Sequence, residues 1–531
     1  MNHIYHSIWN EALGAWIAVS EIATGQGKRS SNRRKLLATS LLICATPVWA
    51  LPTGDALVAG QATVNTPNAG QMQINQASQN AVINWQGFSI APNEAVKIQQ
   101  PNANAALLNR VVGQDASQIQ GQLNANGQVY LVNPNGVVFG KTAQVDVGGL
   151  VATTHNITNA DFMKGNPHFT QDGAKGTVEN HGTIKTPEGG VVALIGQSVT
   201  NTGTINTPKG TTALAAGKTV DLDFKGDGLV EVKVSEAALN AQITNNGAIQ
   251  ADGGRVVLTA KAAGQLIDTV INQQGIIRAQ GLVERNGEII LDGGDNGITQ
   301  VSGTLDASGN KAGEKGGRVI VTGNKVLIDN TATLNATGNT GGGDILVGGS
   351  WQGENTNIRQ ATATVVKKGA TLDASATNKG KGGTVVAWSN IHDPNSATRA
   401  WGTFLAKGGV NGGDGGRIET SGHWLNVEGI SVNTTTHKGQ AGTWLLDPYD
   451  VTISNPNDIN GVFGTGVWTP TGTGSTVSAT TIEAALNSGT SVNITTTGAG
   501  VEAGDITVAS SINKTVGGTA NLFLNADNSI I

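Results

Sequence analysis

The 531-residue chain carries 75 glycines, only 13% charged residues and 4% aromatics, a balance that excludes charge-driven disorder and leaves too few large side chains for one big globular core. The formal net charge is −5. The cations Lys28, Arg29, Arg33, Arg34 and Lys35 cluster within the first 50 residues, so the remainder is more acidic still, which excludes nucleic acid and anionic membrane surfaces as partners.

Residues 28–50 read as a cleavable secretory signal. The basic cluster from Lys28 to Lys35 precedes the apolar run Leu36 to Val48. Val48-Trp49-Ala50 then places small residues for cleavage between Ala50 and Leu51. The run is about 13 residues, against the roughly 20 needed to span a bilayer. Cys44, the only cysteine, lies in this leader behind bulky Ile43, which does not suit a lipidation site. The exported part therefore has no thiol for a disulfide, a nucleophile or a metal site.

After residue 51, short β-branched runs alternate with Gly, Asn, Asp and Thr clusters, and helical periodicity is almost absent. Gly182-Thr183-Ile184 recurs at Gly203, Gly247, Gly275 and Gly303, then with Ala332 and Ala370 in the lead. The first gap is 21 residues and the next 44, read as two turns of the repeat. A second phrase, Gly254-Arg255-Val256-Val257, recurs at Gly287, Gly317, Gly343, Gly383 and Gly416. Two strand phrases per repeat predict one coil of a parallel β-solenoid, with glycine supplying positive φ at the corners and Asn and Asp bonding their own backbone. At roughly 21 residues and about 4.8 Å per rung, the stack holds at most about 23 rungs and approaches 100 Å. The fold class is thus all-β, a right-handed parallel β-helix (solenoid) after a cleaved extended signal peptide. Antiparallel sandwiches are the bland alternative, with Asn246-Gly247 and Asn286-Gly287 as hairpin candidates, although both sit at repeat starts.

Several phrases then occur in order: Leu51-Pro52-Thr53-Gly54, Asn80 to Ile90, Val129 to Gly140 with Asn133-Pro134-Asn135-Gly136 at its centre, and Gly148 to Thr154. Together they resemble the secretion domain of two-partner secretion exoproteins, the filamentous-haemagglutinin and high-molecular-weight-adhesin group. The leading segment 1–27 resembles the extended signal-peptide region of very large exported proteins. The resemblance implies export through the inner-membrane general secretion machinery, slowed by the extension. It then implies recognition by a cognate outer-membrane β-barrel transporter and release as a surface adhesin of a Gram-negative bacterium. It divides the chain into 1–50 (extension 1–27, signal 28–50), a secretion domain over 51–300, further Gly-rich helix over 301–440, and a β-rich segment over 441–531. That segment stops at Ile531 without a capping repeat, so a longer exoprotein is expected, with a receptor on a host or neighbouring cell. Contact-dependent inhibition, haemolysis or another effector function is the alternative within the family.

The Asn133–Gly136 phrase also stands on its own chemistry. Pro134 presets φ, Asn135 tolerates a left-handed or bridge conformation, Gly136 takes any φ, and Asn133 can bond the backbone opposite. The resemblance implies that this corner serves secretion. The family's upstream partner motif is altered here to Gln100-Pro101-Asn102-Ala103. Five Asn-x-Ser/Thr triplets, at Asn156, Asn335, Asn433, Asn493 and Asn513, are possible glycosylation sites, though chance explains five in so Asn- and Thr-rich a chain.

No catalytic, cofactor or metal site is expected. Gly210 to Thr219 mimics a phosphate loop with the wrong glycine spacing, and Gly412 to Gly416 lacks the aspartate spacing of a calcium repeat. A polysaccharide-degrading β-helix enzyme is the alternative of another class. It would need converging carboxylates, whereas Asp292, Asp295 and Asp306 are read as spread over corners, and His392 and His423 as surface residues. Trp388, Trp401, Trp424 and Trp444 are expected to pack against the helix rather than form a sugar ladder.

Overall fold

Each coil contains three strands, one more than the two glycine phrases announce. A computed structural model describes residues 51–224, 229–263, 269–455, 474–498 and 502–531, together with the backbone of short strands at 5–10, 15–20, 461–464 and 467–470. The signal at 28–50 lies outside the described residues. Residues Met1–Val48 form a separate unit, in which Tyr5–Asn10 and Ala15–Ser20 pair as an antiparallel hairpin.

In the main unit the Gly-Thr-Ile phrase opens strands of a first parallel sheet: Thr183–Lys185, Thr204–Asn206, Ala248–Gln250, Ile276–Arg278 and onward to Ser431–Asn433. The Gly-Arg-Val phrase opens a second sheet, including Arg255–Ala260, Glu288–Asp292, Arg318–Thr322, Asp344–Val347 and Thr384–Trp388. A third sheet of 11 strands, from Ser117–Ile119 to Trp424–Asn426, has no recurrent leading glycine and was not read from the sequence. Its ten steps at about 4.8 Å span roughly 50 Å.

Register follows the buried side chains. Ile184, Ile205, Ile249, Ile277, Leu305, Leu334, Leu372, Phe404 and Val432 pair in succession along the first sheet. All lie within the core, where each aliphatic side chain removed from water contributes roughly 1.5–3 kcal/mol. A slip of one residue would turn this row toward solvent, so the register is strongly specified. The third sheet carries a buried polar ladder instead. Asn180 Nδ2 donates to Asn201 Oδ1 (2.8 Å), Asn201 Nδ2 to Asn245 Oδ1 (2.7 Å), and Asn245 Nδ2 to Gln273 Oε1 (2.7 Å).

The phrase-leading glycines are explained by close approach, not by positive φ. Neither Gly203, Gly247 and Gly275 nor Gly287, Gly317 and Gly343 occupies the left-handed region. A Cβ on Gly247 would meet Gly203 O at 2.2 Å, and one on Gly343 would meet Gly317 O at 1.9 Å. Positive φ belongs to other corner glycines, among them Gly189 (φ 77°), Gly253 (φ 68°) and Gly313 (φ 85°).

The 44-residue gap is one coil, not two, because Ile205 pairs directly with Ile249. Its surplus includes the antiparallel strands Thr219–Phe224 and Val230–Glu236, joined by His168–Thr170 from an earlier insertion. With the short helix Asn159–Lys164, these form a second layer outside the second sheet. Phe162, Phe169, Val220 and Leu222 cover the outward side chains of Leu108, Tyr130, Val132 and Val151. Insertions of this kind lengthen the coils, so the stack has fewer rungs than its residue count allows. At the N-terminal end, Ala56–Ala59 and Ala62–Asn68 pair antiparallel with Asn80–Trp85 and Gln71–Gln76, protecting an otherwise open sheet edge.

Candidate functional site

The Asn133–Gly136 corner joins Gln122–Val132 of the first and second sheets to Val137–Phe139 of the third. Asn133 is completely buried, and its side chain takes part in four hydrogen bonds, one of them from Asn135 Nδ2 to its Oδ1 (3.2 Å). Its Nδ2 donates to Asp115 O and Ser117 Oγ, both at 3.0 Å, while its Oδ1 accepts from Asn135 N at 3.0 Å. Asn135 Nδ2 donates to Gly113 O (3.0 Å), and Gly136, at φ 125°, closes the turn through its N–H to Asn133 O (3.0 Å). On the opposite side Gly176 N donates to Pro134 O (3.1 Å), and a Cβ on Gly176 would meet Gly136 N at 2.3 Å. The turn is therefore clamped between the coils before and after it, and the side chains of both asparagines hold it there.

The altered upstream phrase does comparable work. Gln100 is buried, and its Nε2 donates to Gln76 Oε1, Ala105 O and Gln128 O while its Oε1 accepts from Gly127 N. The longer amide spans three coils, and Asn102 supplies the local turn by accepting from Asn104 N (2.9 Å).

Leu51 is half-buried against the core, whereas Ala50 lies outside the described residues. The five glycosylation triplets separate by position. Asn335 pairs with Asp306 and Asp373 at one corner, and all three side chains accept from the backbone N–H two residues on. Asn433 makes the same turn to Thr435 N. At these corners Asn-x-Thr stands in register with Asp-x-Ser, so the triplets arise from turn chemistry. Asn156 holds Asp172 Oδ2 through its side chain (3.1 Å), Asn493 is half-buried in a strand, and Asn513 is fully exposed.

Two readings of charged groups are corrected. Asp292 and Asp295 do converge, on Arg359, whose Nε bonds Asp292 at 2.8 Å and whose Nη1 bonds Asp295, while Asp306 stays apart at its corner. His423 is buried rather than on the surface. Its Nε2 lies 2.6 Å from Glu502 Oε2, and its ring stacks 4.1 Å from that of Tyr449, while His392 is exposed. Trp388, Trp424 and Trp444 are buried and Trp401 half-buried, as packing requires.

Sequence reasoning missed a buried carboxyl, Glu419, which points outward from the second sheet under the strap formed by Gly348 to Ala361. It accepts from Gln352 N (2.8 Å) and Ser421 Oγ (2.9 Å), and burial pushes it up to about 8. Burial likewise raises neighbouring Asp447 to about 6. Among the described residues no group of three or more potential metal ligands converges.

The TPS secretion domain model matches residues 50–313, and that of the extended signal peptide of type V secretion systems matches residues 1–50. Two curated relatives from Haemophilus influenzae, both named heme/hemopexin-binding protein, are similar to this chain. One is 33% identical over 277 residues, covering 49% of this chain and 30% of the relative. The other is 32% identical over 335 residues, covering 57% and 35% respectively. This chain thus spans about a third of their length. The crystal structure of the HMW1 secretion domain from Haemophilus influenzae is 31% identical, with a TM-score of 0.66 over 75% of this chain and all of that domain.

Proposed function

Because the chain belongs to the family of two-partner secretion exoproteins, secreted by Gram-negative bacteria and paired with an outer-membrane transporter, we propose that residues 51 to roughly 300 carry its export address and that the exported protein acts as a surface adhesin. The clamped Asn133–Gly136 corner carries the reading of the address. It is a hydrogen-bonded junction that locks three successive coils, so the first coils of the stack form only when this turn does. Each completed coil then offers a paired edge to the next, and folding outside the cell favours onward movement without nucleotide.

Cleavage between Ala50 and Leu51 would free the antiparallel N-terminal strands to close the first coil. Deleting residues 51–300 while retaining the signal is expected to leave the product cell-associated or degraded, and normal release of that deletion would refute the assignment. Of the five triplet asparagines, Asn513 alone is exposed, the other four being half-buried, which supports it as a glycan acceptor. Asparagine-to-glutamine exchange at Asn513 should then abolish a mass shift that the same exchange at Asn335 leaves intact.

A second reading, heme acquisition, is favoured by the two relatives, both named heme/hemopexin-binding protein. Adherence to epithelial cells and capture of the heme–hemopexin complex, measured on the same secreted protein, separate the two. The polysaccharide-degrading alternative is disfavoured at Asp292 and Asp295 by Arg359, which forms an ion pair with each.

A further inference from the structure

A groove of about 820 Å³ lies between the second sheet and the outer layer formed by the helix Asn159–Lys164 and the strand Val230–Glu236. Its floor is set by register. Asn80 pairs with Ala106, Ala106 with Gln128, and Gln128 with Gly149, so large amides alternate with small residues on successive rungs. The two amides stand two rungs apart, about 9.6 Å, with a slot between them. Tyr130, Val151 and Phe162 close the base with apolar surface.

The polar groups around this base are neutral. Asn80 Nδ2 donates to Met163 O (3.2 Å), leaving its carbonyl for another partner. Among the described residues the side chains of Asn104, Gln128 and Asn166 make no hydrogen bond, and all three line the groove. Among the described lining residues Glu188 is the single carboxylate, paired with Lys209 at 3.1 Å, and none is a cation.

We propose that this groove binds a neutral oligosaccharide of roughly two or three hexose units, a size that fits the ordinary range of ligand pockets. Amides both donate and accept, as sugar hydroxyls do, whereas phosphate, sulfate or carboxylate ligands call for a cation that the described lining does not offer. The apolar base matches the C–H face of a pyranose ring, and the amide spacing matches the length of a disaccharide. The site belongs to the secretion domain and does not depend on the adhesin reading.

The test uses the secreted full-length chain on an array of neutral oligosaccharides (cello-, malto-, chito- and fucosylated series), sialylated and sulfated glycans, and extended peptides, followed by calorimetry on the best neutral probe. Retention of a neutral probe is expected, weakened roughly tenfold by Gln128→Leu and by Asn166→Ala at unchanged secretion yield. Should Gln128→Leu fail to be secreted, exposed Asn166 carries the comparison. No retained neutral probe, equal binding by the variants, or preference for acidic glycans or peptides would overturn the proposal.

Discussion

The close-approach explanation of the repeat glycines is tested by Gly317→Ala. The added Cβ would sit 2.2 Å from Gly287 O and 2.9 Å from Ala307 O, both backbone atoms of adjoining segments that no side-chain rotation can move. Restoring an ordinary carbon–oxygen contact requires the coils to part locally by about 1 Å. That stretches two hydrogen bonds, Arg318 N–H to Gly287 O (3.0 Å) and Gly317 N–H to Ala307 O (2.7 Å). Losing them in a buried corner costs about 1–3 kcal/mol, and the overpacking about as much again. The lower chain entropy of unfolded alanine offsets about 0.5–1 kcal/mol, leaving a net loss of about 1–5 kcal/mol. Gly189→Ala is the control, since at φ 77° with nothing within 4 Å it meets only the backbone penalty of about 1–2 kcal/mol. Urea unfolding gives the global loss, and hydrogen exchange in Glu288–Asp292 and Arg318–Thr322 locates it. A Gly317→Ala protein no less stable than Gly189→Ala, with unchanged exchange in those strands, would refute the reasoning.

Three further outcomes are expected. Asn133→Ala removes a fully buried amide and four hydrogen bonds, so it should cost about 2–4 kcal/mol and lower the secreted yield, as read by urea midpoint and culture immunoblot. Asn201→Leu breaks the amide ladder on both sides and leaves Asn180 and Asn245 unsatisfied, for a loss of about 2–3 kcal/mol, whereas Thr200→Ala beside it should change stability little. Glu419 binds its proton more tightly folded than unfolded, so its contribution is complete below pH 4.5 and is lost as pH rises toward about 8. The slope in that window is at most about 1.4 kcal/mol per pH unit, and Glu419→Gln should flatten it in thermal melts between pH 5 and 8.

Much of the architecture is written in the chain itself. The recurrence of Gly-Thr-Ile and Gly-Arg-Val named the first two sheets and their strand starts, because at most of these corners a Cβ would come within about 2 Å of a carbonyl of the adjoining coil. The third sheet escaped notice because its strands share burial rather than residue type. Ser198–Asn201, Lys325–Ile328 and Ala397–Ala400 have little in common except the coil position they fill. The glycine phrases also suggested the wrong cause, since φ and close approach leave the same letter in the sequence. For the Asn133–Gly136 corner, composition alone gave the turn, but only the neighbouring coils reveal that it clamps residues 113–117 against 176.

The groove beside Gln128 and the buried Glu419 could not have been read from their own segments. Each depends on chain distant in sequence, Asn159–Lys164 for the one and Gln352 for the other, folding back over the second sheet. Local sequence determined where each coil turns and which side chains face inward, since these are matters of backbone sterics and period-two burial. What lies on the outside of the stack was decided by tertiary structure, because insertions are free of the repeat and find their place only where an apolar outer row, such as Leu108, Tyr130 and Val151, waits to be covered.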